Sequence, residues 1–299
     1  MQLTLGPVPY YWPKARLDAF HEAIAAAPID RVYLGEAICS RRHEYRSADW
    51  LEAAARLADA GKEVVLSSQV LMESESDLRA LRRFAANGRF MLEANDMSAV
   101  HTIAGRAPFV AGAHLNIYNA EALAFIVALG AERWVPPFEM TRDSLASILA
   151  QKPAGVATEV FAYGRLPLAF SARCFTARHY DLPKDDCRFA CLDHPEGLVV
   201  ATRERESFLV LNGIQTQSYR VLNLVDALPE MRELGVDAVR LAPQPERMDE
   251  VIAAFRAALD GAASDAVAAT LAPALPAAPC NGYWHGRPGL DYVMRHAAA

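Results

Sequence analysis

Residues 31–66 read RVYLGEAICS RRHEYRSADW LEAAARLADA GKEVVL, and the reading of this stretch decides the fold. It opens on the short apolar run Arg31-Val32-Tyr33-Leu34 and closes on a second, Glu63-Val64-Val65-Leu66. Between them Trp50, Leu51, Ala54 and Leu57 recur at three- and four-residue intervals, the period of one helix face. Gly61 then supplies the usual punctuation at a helix end. The stretch is a strand, a helix and a strand. The same alternation extends outward in both directions, with strands expected at 2–5, 31–34, 63–66, 90–92, 109–111, 133–135 and 155–163. Helices are expected at 13–27, 47–60, 74–87, 97–104, 120–129 and 141–151, with Ser74 as a cap and Asp77 three positions on. Strict β/α alternation implies parallel strands joined by right-handed crossovers. That many units before residue 165 fit a closed (β/α)8 TIM-type barrel better than an open doubly wound sheet. The nucleotide motifs of the open-sheet alternative, G-x-G-x-x-G after the first strand and the P-loop, are missing.

The pattern breaks after Tyr163. Residues from about 164 to 219 hold Pro167, Pro183 and Pro195, three cysteines and short strands expected at 198–202 and 208–212. This segment reads as an excursion from the barrel, which a strand at 238–242 and a helix ending near 259 then close. The expected organisation is a barrel with its excursion over 1–260, then 261–299 as an Ala/Pro-rich linker and a tail packing on the barrel.

With 30 Lys plus Arg against 36 Asp plus Glu, the 299-residue chain carries a formal net charge of −6. An acidic chain has no sequence-wide reason to bind a polyphosphate, so no nucleic-acid partner is expected. Hydrophobic residues are 53% and charged residues 22% of the sequence, which excludes a disordered chain. No apolar run approaches the roughly 18 residues of a membrane span, and the N-terminus lacks a basic segment followed by an apolar one. The expected location is the cytoplasm. Five cysteines, an odd number, make a poor disulfide framework in that compartment and a better metal or thiol site.

Barrels of this kind work at the C-terminal ends of their strands. At or just past those ends stand Glu36, Ser67-Ser68-Gln69, Glu93 with Asn95, His114 with Asn116 and Asn119, Glu139 and Glu159. Of these, Glu36, Asn95, Asn116, Glu139 and Glu159 are the candidate lining of a polar pocket. They name no reaction, and no catalytic residue is assigned. Cysteine spacing is more specific. Cys39 follows the second strand, Cys187 and Cys191 form a C-x3-C step, and Cys174 lies twelve intervening residues upstream. Four thiolates from two distant segments suit an iron–sulfur cluster or zinc; unrelated buried cysteines are the third reading. Cys280, beside Pro279, stands apart.

The stretch Glu159-Val160-Phe161-Ala162-Tyr163-Gly164-Arg165-Leu166-Pro167-Leu168-Ala169-Phe170-Ser171-Ala172-Arg173-Cys174 resembles the signature of the U32 peptidase family. Gly6-Pro7-Val8 with Tyr11-Trp12-Pro13-Lys14, Tyr33-Leu34-Gly35-Glu36 with Cys39, Leu211-Asn212-Gly213-Ile214-Gln215-Thr216 and Cys280-Asn281-Gly282-Tyr283-Trp284 are similar to one branch of it, the oxygen-independent ubiquinone biosynthesis proteins.

The resemblance implies a [4Fe–4S] cluster on Cys39, Cys174, Cys187 and Cys191. It implies a heterodimer with a UbiU-type paralogue, with a lipid-carrier accessory protein of the same pathway as a further partner. The implied activity is hydroxylation of the aromatic ring of ubiquinone precursors, with prephenate as oxygen donor. The alternatives within the family are an RNA-hydroxylating or RNA-binding protein and a peptidase. No G-x-S-x-G elbow, zinc-protease motif or triad supports the last. One departure is informative: Pro167 stands where the broader family signature has a cysteine, and Cys39 supplies a ligand from elsewhere.

Overall fold

The computed structural model describes residues 1–294. Strands β1 (Gln2–Leu5), β2 (Arg31–Leu34), β3 (Glu63–Ser67), β4 (Met91–Ala94), β5 (Phe109–Ala111), β6 (Ala131–Trp134) and β7 (Ala157–Phe170) stand side by side in chain order, each pair parallel. The chain then leaves the ring for β8 (Leu198–Ala201), β9 (Ser207–Asn212) and β10 (Gln215–Asn223), and returns as β11 (Ala238–Leu241). β11 pairs in parallel with β7 on one side and β1 on the other. Eight parallel strands therefore close a (β/α)8 barrel.

Helices α1 (Lys14–Ala26), α2 (Ser47–Asp59), α3 (Glu75–Ala85), α4 (Met97–Ile103), α5 (Ala120–Ala128) and α6 (Arg142–Leu149) connect the first seven strands. Four of their starts are fixed by side-chain caps: Ser74, Asp96, Asn119 and Thr141 each accept a backbone N–H of the first turn. Two apolar layers arise from the two-residue alternation of the strands. Leu3, Val32, Leu34 and Leu66 face outward onto Leu17, Leu57, Leu81 and Phe255 of the helices. Tyr33, Val65, Val110 and Val135 face inward as a smaller cluster. The rest of the barrel interior is largely polar, with Thr4, Arg31, Ser67, Glu93, Glu159 and Arg240 buried there.

Several elements differ from expectation, among them β10, a strand of nine residues where none was expected. β7 does not stop at Tyr163 but runs to Phe170, because its outer half pairs antiparallel with β10. Pro167 is tolerated there at a register shift opposite Gln217, the kind of irregularity at which a strand accepts proline. The excursion is thus a sheet of β7, β10, β9 and β8 carrying the short helix α7 (Phe175–His179). After it come α8 (Leu228–Glu233), α9 (Met248–Leu259) and α10 (Ser264–Leu271). α10 forms where a loose linker was expected. Alanine favours helix, the prolines of the segment come after Leu271, and Val267 and Leu271 bury themselves beside α9. The tail packs on the barrel: β12 (Pro279–Cys280) pairs with β10, and Trp284 Nε1 donates to Glu230 at 3.1 Å. No helix of the described residues is long and apolar enough to cross a membrane.

Candidate metal centre and barrel mouth

Cys39, Cys174, Cys187 and Cys191 line one small hollow at the C-terminal rim of the barrel. All four are free thiols and partly buried. Each arrives by its own local device. Gly35, at φ +150°, turns the chain sharply off β2, and a Cβ there would stand 2.4 Å from the Ser67 carbonyl oxygen. The following Glu36 accepts the N–H groups of Ile38 and Cys39, both at 3.1 Å, and so fixes the turn that presents Cys39. Cys174 caps α7, its Sγ accepting the Ala177 N–H at 3.4 Å. The loop is tied to the β9–β10 turn by Phe175 N–H on the Gly213 carbonyl and Gly213 N–H on Thr176 Oγ1. Between Cys187 and Cys191, Arg188 and Phe189 both hold positive φ, 48° and 54°. Two consecutive non-glycine residues in that region cost about 1–3 kcal/mol each, strain of the kind found where geometry serves a site.

The charged side chains around the hollow are Arg41, Arg42 and Lys184, with no carboxylate in its lining. Arg41 and Lys184 also reach outward to Asp185 and Glu73. Arg42 is the inner one: it donates to Asn212 Oδ1 at 2.6 Å and the Pro9 carbonyl at 2.9 Å, and lies 3.5 Å from Glu36. Burial pushes the Cys39 thiol up to about 11 and raises that of Cys191, with the Arg42 charge opposing both. Burial likewise raises the Glu36 carboxyl against Arg42 and the two N–H groups it accepts. Tyr11 closes one side, its ring 5.9 Å from Phe189 and its hydroxyl accepting the His43 N–H at 3.0 Å. Cys280 is buried elsewhere, beside β10.

An apolar partition of Ala37, Ile38 and Ile214 separates this hollow from the barrel mouth. The mouth is a second cavity, open to solvent. The pocket residues expected from the sequence divide among several places. Asn95 lines the mouth beside Glu93 and His114, held by its Nδ2 on the Ser68 carbonyl at 3.0 Å. Glu159 lies beneath it, wholly buried, accepting from Thr4, Tyr33, Arg31 and Arg240. Glu36 stands on the thiol side of the partition. Asn116 and Glu139 lie outside both cavities; Asn116 ends a turn at φ 55°, and Glu139 accepts from Tyr118. Sequence reasoning passed over Arg42, Arg165, Gln217 and Arg240. Arg240 was findable, since alternation in Ala238-Val239-Arg240-Leu241 turns it inward with Ala238 while Val239 and Leu241 join the outer layer.

The chain matches Peptidase family U32 over residues 15–289. Among solved structures it is similar to the U32 peptidase Mk0906, with a TM-score of 0.46 and 14% identity over 82% of this chain and 93% of that one. It is similar to a thiamine phosphate pyrophosphorylase from Pyrococcus furiosus at a TM-score of 0.44, with 10% identity over 87% and 95% of the two chains. For the dihydrodipicolinate synthase from Aquifex aeolicus the values are 0.33, 9%, 90% and 70%.

Proposed function

The chain belongs to peptidase family U32, and from that premise we propose that it is the UbiV-type iron–sulfur subunit of an oxygen-independent hydroxylase complex. The complex would hydroxylate the aromatic ring of ubiquinone precursors in the cytoplasm, with prephenate as oxygen donor. Cys39, Cys174, Cys187 and Cys191 would hold a [4Fe–4S] cluster.

The observation that carries the reading is the convergence of four free thiols, from β2 and the excursion, on one hollow whose charged lining is cationic only. The donor set fits the group: four soft sulfurs, and positive charge to balance thiolates. A single zinc ion fits less well. With bonds of about 2.3 Å to sulfur, a tetrahedral ion draws its ligands close together. Among the described residues no three His, Cys, Asp or Glu side chains group tightly enough to hold one ion. A bound cluster would supply single-electron transfer beside the barrel mouth. The protein's part is to hold the thiols, to place Arg42 against Cys191 and Cys39, and to cover the site with Tyr11 and Phe189.

The partner in this reading is a UbiU-type paralogue. Tyr180, Phe189, Val199 and Phe208 are large apolar side chains exposed on the excursion that bears three of the four thiols, and a subunit seated there would shield the centre from dioxygen. The test is genetic: deleting the gene should abolish ubiquinone made without oxygen and leave aerobic synthesis intact, and a Cys174→Ala chain should behave as the deletion does. Normal anaerobic ubiquinone from a Cys174→Ala protein shown to lack iron would refute the proposal.

A further inference from the structure

The partition between the thiol hollow and the barrel mouth is crossed by a chain of buried polar side chains. Arg42 lines the hollow, Gln215 lines the mouth, and Asn212 joins them. Arg42 Nη2 donates to Asn212 Oδ1 at 2.6 Å, and Asn212 Nδ2 donates to Gln215 Oε1 at 3.1 Å. The Pro9 carbonyl braces the chain from the side, accepting Arg42 Nη1 at 2.9 Å and Asn212 Nδ2 at 2.7 Å. Asn212 is 2% exposed, Gln215 1%, and the Arg42 side chain 2%. The tight turn Gly213–Ile214, with Gly213 at φ 65°, sets Asn212 of β9 directly opposite Gln215 of β10.

The direction of every bond in the chain follows from one end. A guanidinium only donates, so Asn212 turns its oxygen to Arg42 and its nitrogen to Gln215. Gln215 then turns its oxygen to Asn212, which leaves its nitrogen for the mouth. Reversing either amide would set two donors against each other in a buried place, where an unmade bond is costly. Arg42 is also the cation of the hollow whose charge is least offset. Arg41 and Lys184 reach outward to Asp185 and Glu73, whereas the nearest carboxylate to Arg42 among the described residues is Glu36 at 3.5 Å. Its charge acts on both Cys39 and Cys191. Its Nε is buried without a partner among the described residues, a donor to spare beside the thiols.

We propose that Asn212 is a positioning residue that joins the two cavities. It holds Arg42 where the guanidinium sets the reduction potential of the centre on the four thiols, and it aims the Gln215 amide nitrogen into the barrel mouth. The inference deepens the cluster reading and rests on it. Positive charge and hydrogen bonds beside a cluster favour its reduced, more negative form and so raise its potential. Loosening Arg42 from any point along the chain, the mouth end included, therefore lowers the potential.

The test is a redox titration of the full chain, purified without oxygen and followed by electron paramagnetic resonance, after its iron has been measured. Arg42→Gln should disfavour the reduced form by about tenfold or more, the worth of a charge-assisted hydrogen bond, which is a potential about 59 mV lower for a one-electron couple. Asn212→Ala should shift it the same way by less, because the charge remains and only its hold is lost. Gln215→Leu is the discriminating variant. The residue lines the mouth and not the hollow, yet its loss should lower the potential at parental iron content. Gln217→Leu, a change in the same cavity but outside the chain, should leave the potential at the parental value. A merely structural role for Asn212 would cost stability and leave the potential where it was. Iron-free parent protein would bring down the cluster reading and this inference with it. Iron-loaded Arg42→Gln or Gln215→Leu at the parental potential, or an equal shift in Gln217→Leu, would overturn this inference alone.

Discussion

Replacing Glu159 by Gln should destabilise the barrel more than any change on its surface. The carboxylate is wholly buried and takes four hydrogen bonds: Oε1 from Thr4 Oγ1 and Arg240 Nε, both at 2.7 Å, and Oε2 from the Tyr33 hydroxyl at 2.6 Å and Arg31 Nη1 at 3.2 Å. Burial alone would raise its pKa, but the charges of Arg240 and Arg31 and the two hydroxyls outweigh it, and the carboxyl is held below its ordinary value. A glutamine keeps the volume and one acceptor oxygen. Its NH₂ must then face donors on one side, and two guanidiniums lose their buried counter-charge. Breaking a buried pair in this way costs about 3–5 kcal/mol. At roughly 2.1 cal/mol/K of unfolding entropy per residue, a chain of 299 residues loses about 6 °C of Tm for 4 kcal/mol. Differential scanning calorimetry of Glu159→Gln beside Glu139→Gln measures the difference. Glu139 is bonded to Tyr118 at the surface and should shift Tm by less than about 1 °C. If both variants melt within about 1 °C of the parent, the charged interior does not hold the barrel together and this reasoning fails.

Acid should weaken the fold through His21, buried against Phe20, Tyr45 and Trp50. Burial lowers its pKa to about 4, Arg56 adding to the effect and Asp18 opposing it. An unfolded histidine titrates near 6.5, so the unfolded chain takes up that proton first. The contribution is whole above pH 6.5 and is lost as pH falls toward 4, about 3 kcal/mol in all. His21→Leu should remove one proton's worth of slope from urea-unfolding stability in that window, and an unaltered slope would contradict the assignment. Gly35→Ala should cost at least about 2 kcal/mol, because its Cβ meets the Ser67 carbonyl. It should also lower the iron content by displacing Cys39; full iron loading at parental stability would show that the turn is not needed. Co-expression with a UbiU-type paralogue should give a one-to-one complex on gel filtration, and an iron-loaded chain that stays monomeric beside its partner would count against the proposed assembly.

The barrel was legible because its strands are short apolar runs and its helices carry a clear three-and-four period. The four cysteines stood out because their spacing is unusual in any chain. The hidden part was polar and buried. β10 reads Gln215-Thr216-Gln217-Ser218 at its start and shows no apolar alternation, since three of those side chains are buried for bonding rather than for packing. The far half of β7 was hidden by Gly164 and Pro167, residues that ordinarily end a strand. Here they sit where a parallel barrel strand becomes an antiparallel one. Carboxylates and amides at strand ends drew the sequence reading toward Asn116 and Glu139. The arginines that organise the interior, Arg31 and Arg240, lie within strands, where a charge is normally read as facing water. Distinguishing those cases needs the partner strands, and a single sequence does not supply them.

The central claim is that the four thiols hold an iron–sulfur cluster, and the direct measurement is iron, sulfide and zinc on protein purified without oxygen, together with its electronic and electron paramagnetic resonance spectra. The account predicts a brown protein with about four irons per chain and sulfur-to-iron charge-transfer absorption. Iron should be lost on Ala substitution of Cys39, Cys174, Cys187 or Cys191 and kept in Cys280→Ala. One zinc per chain with no iron, or iron that survives the loss of any of those four cysteines, would contradict it.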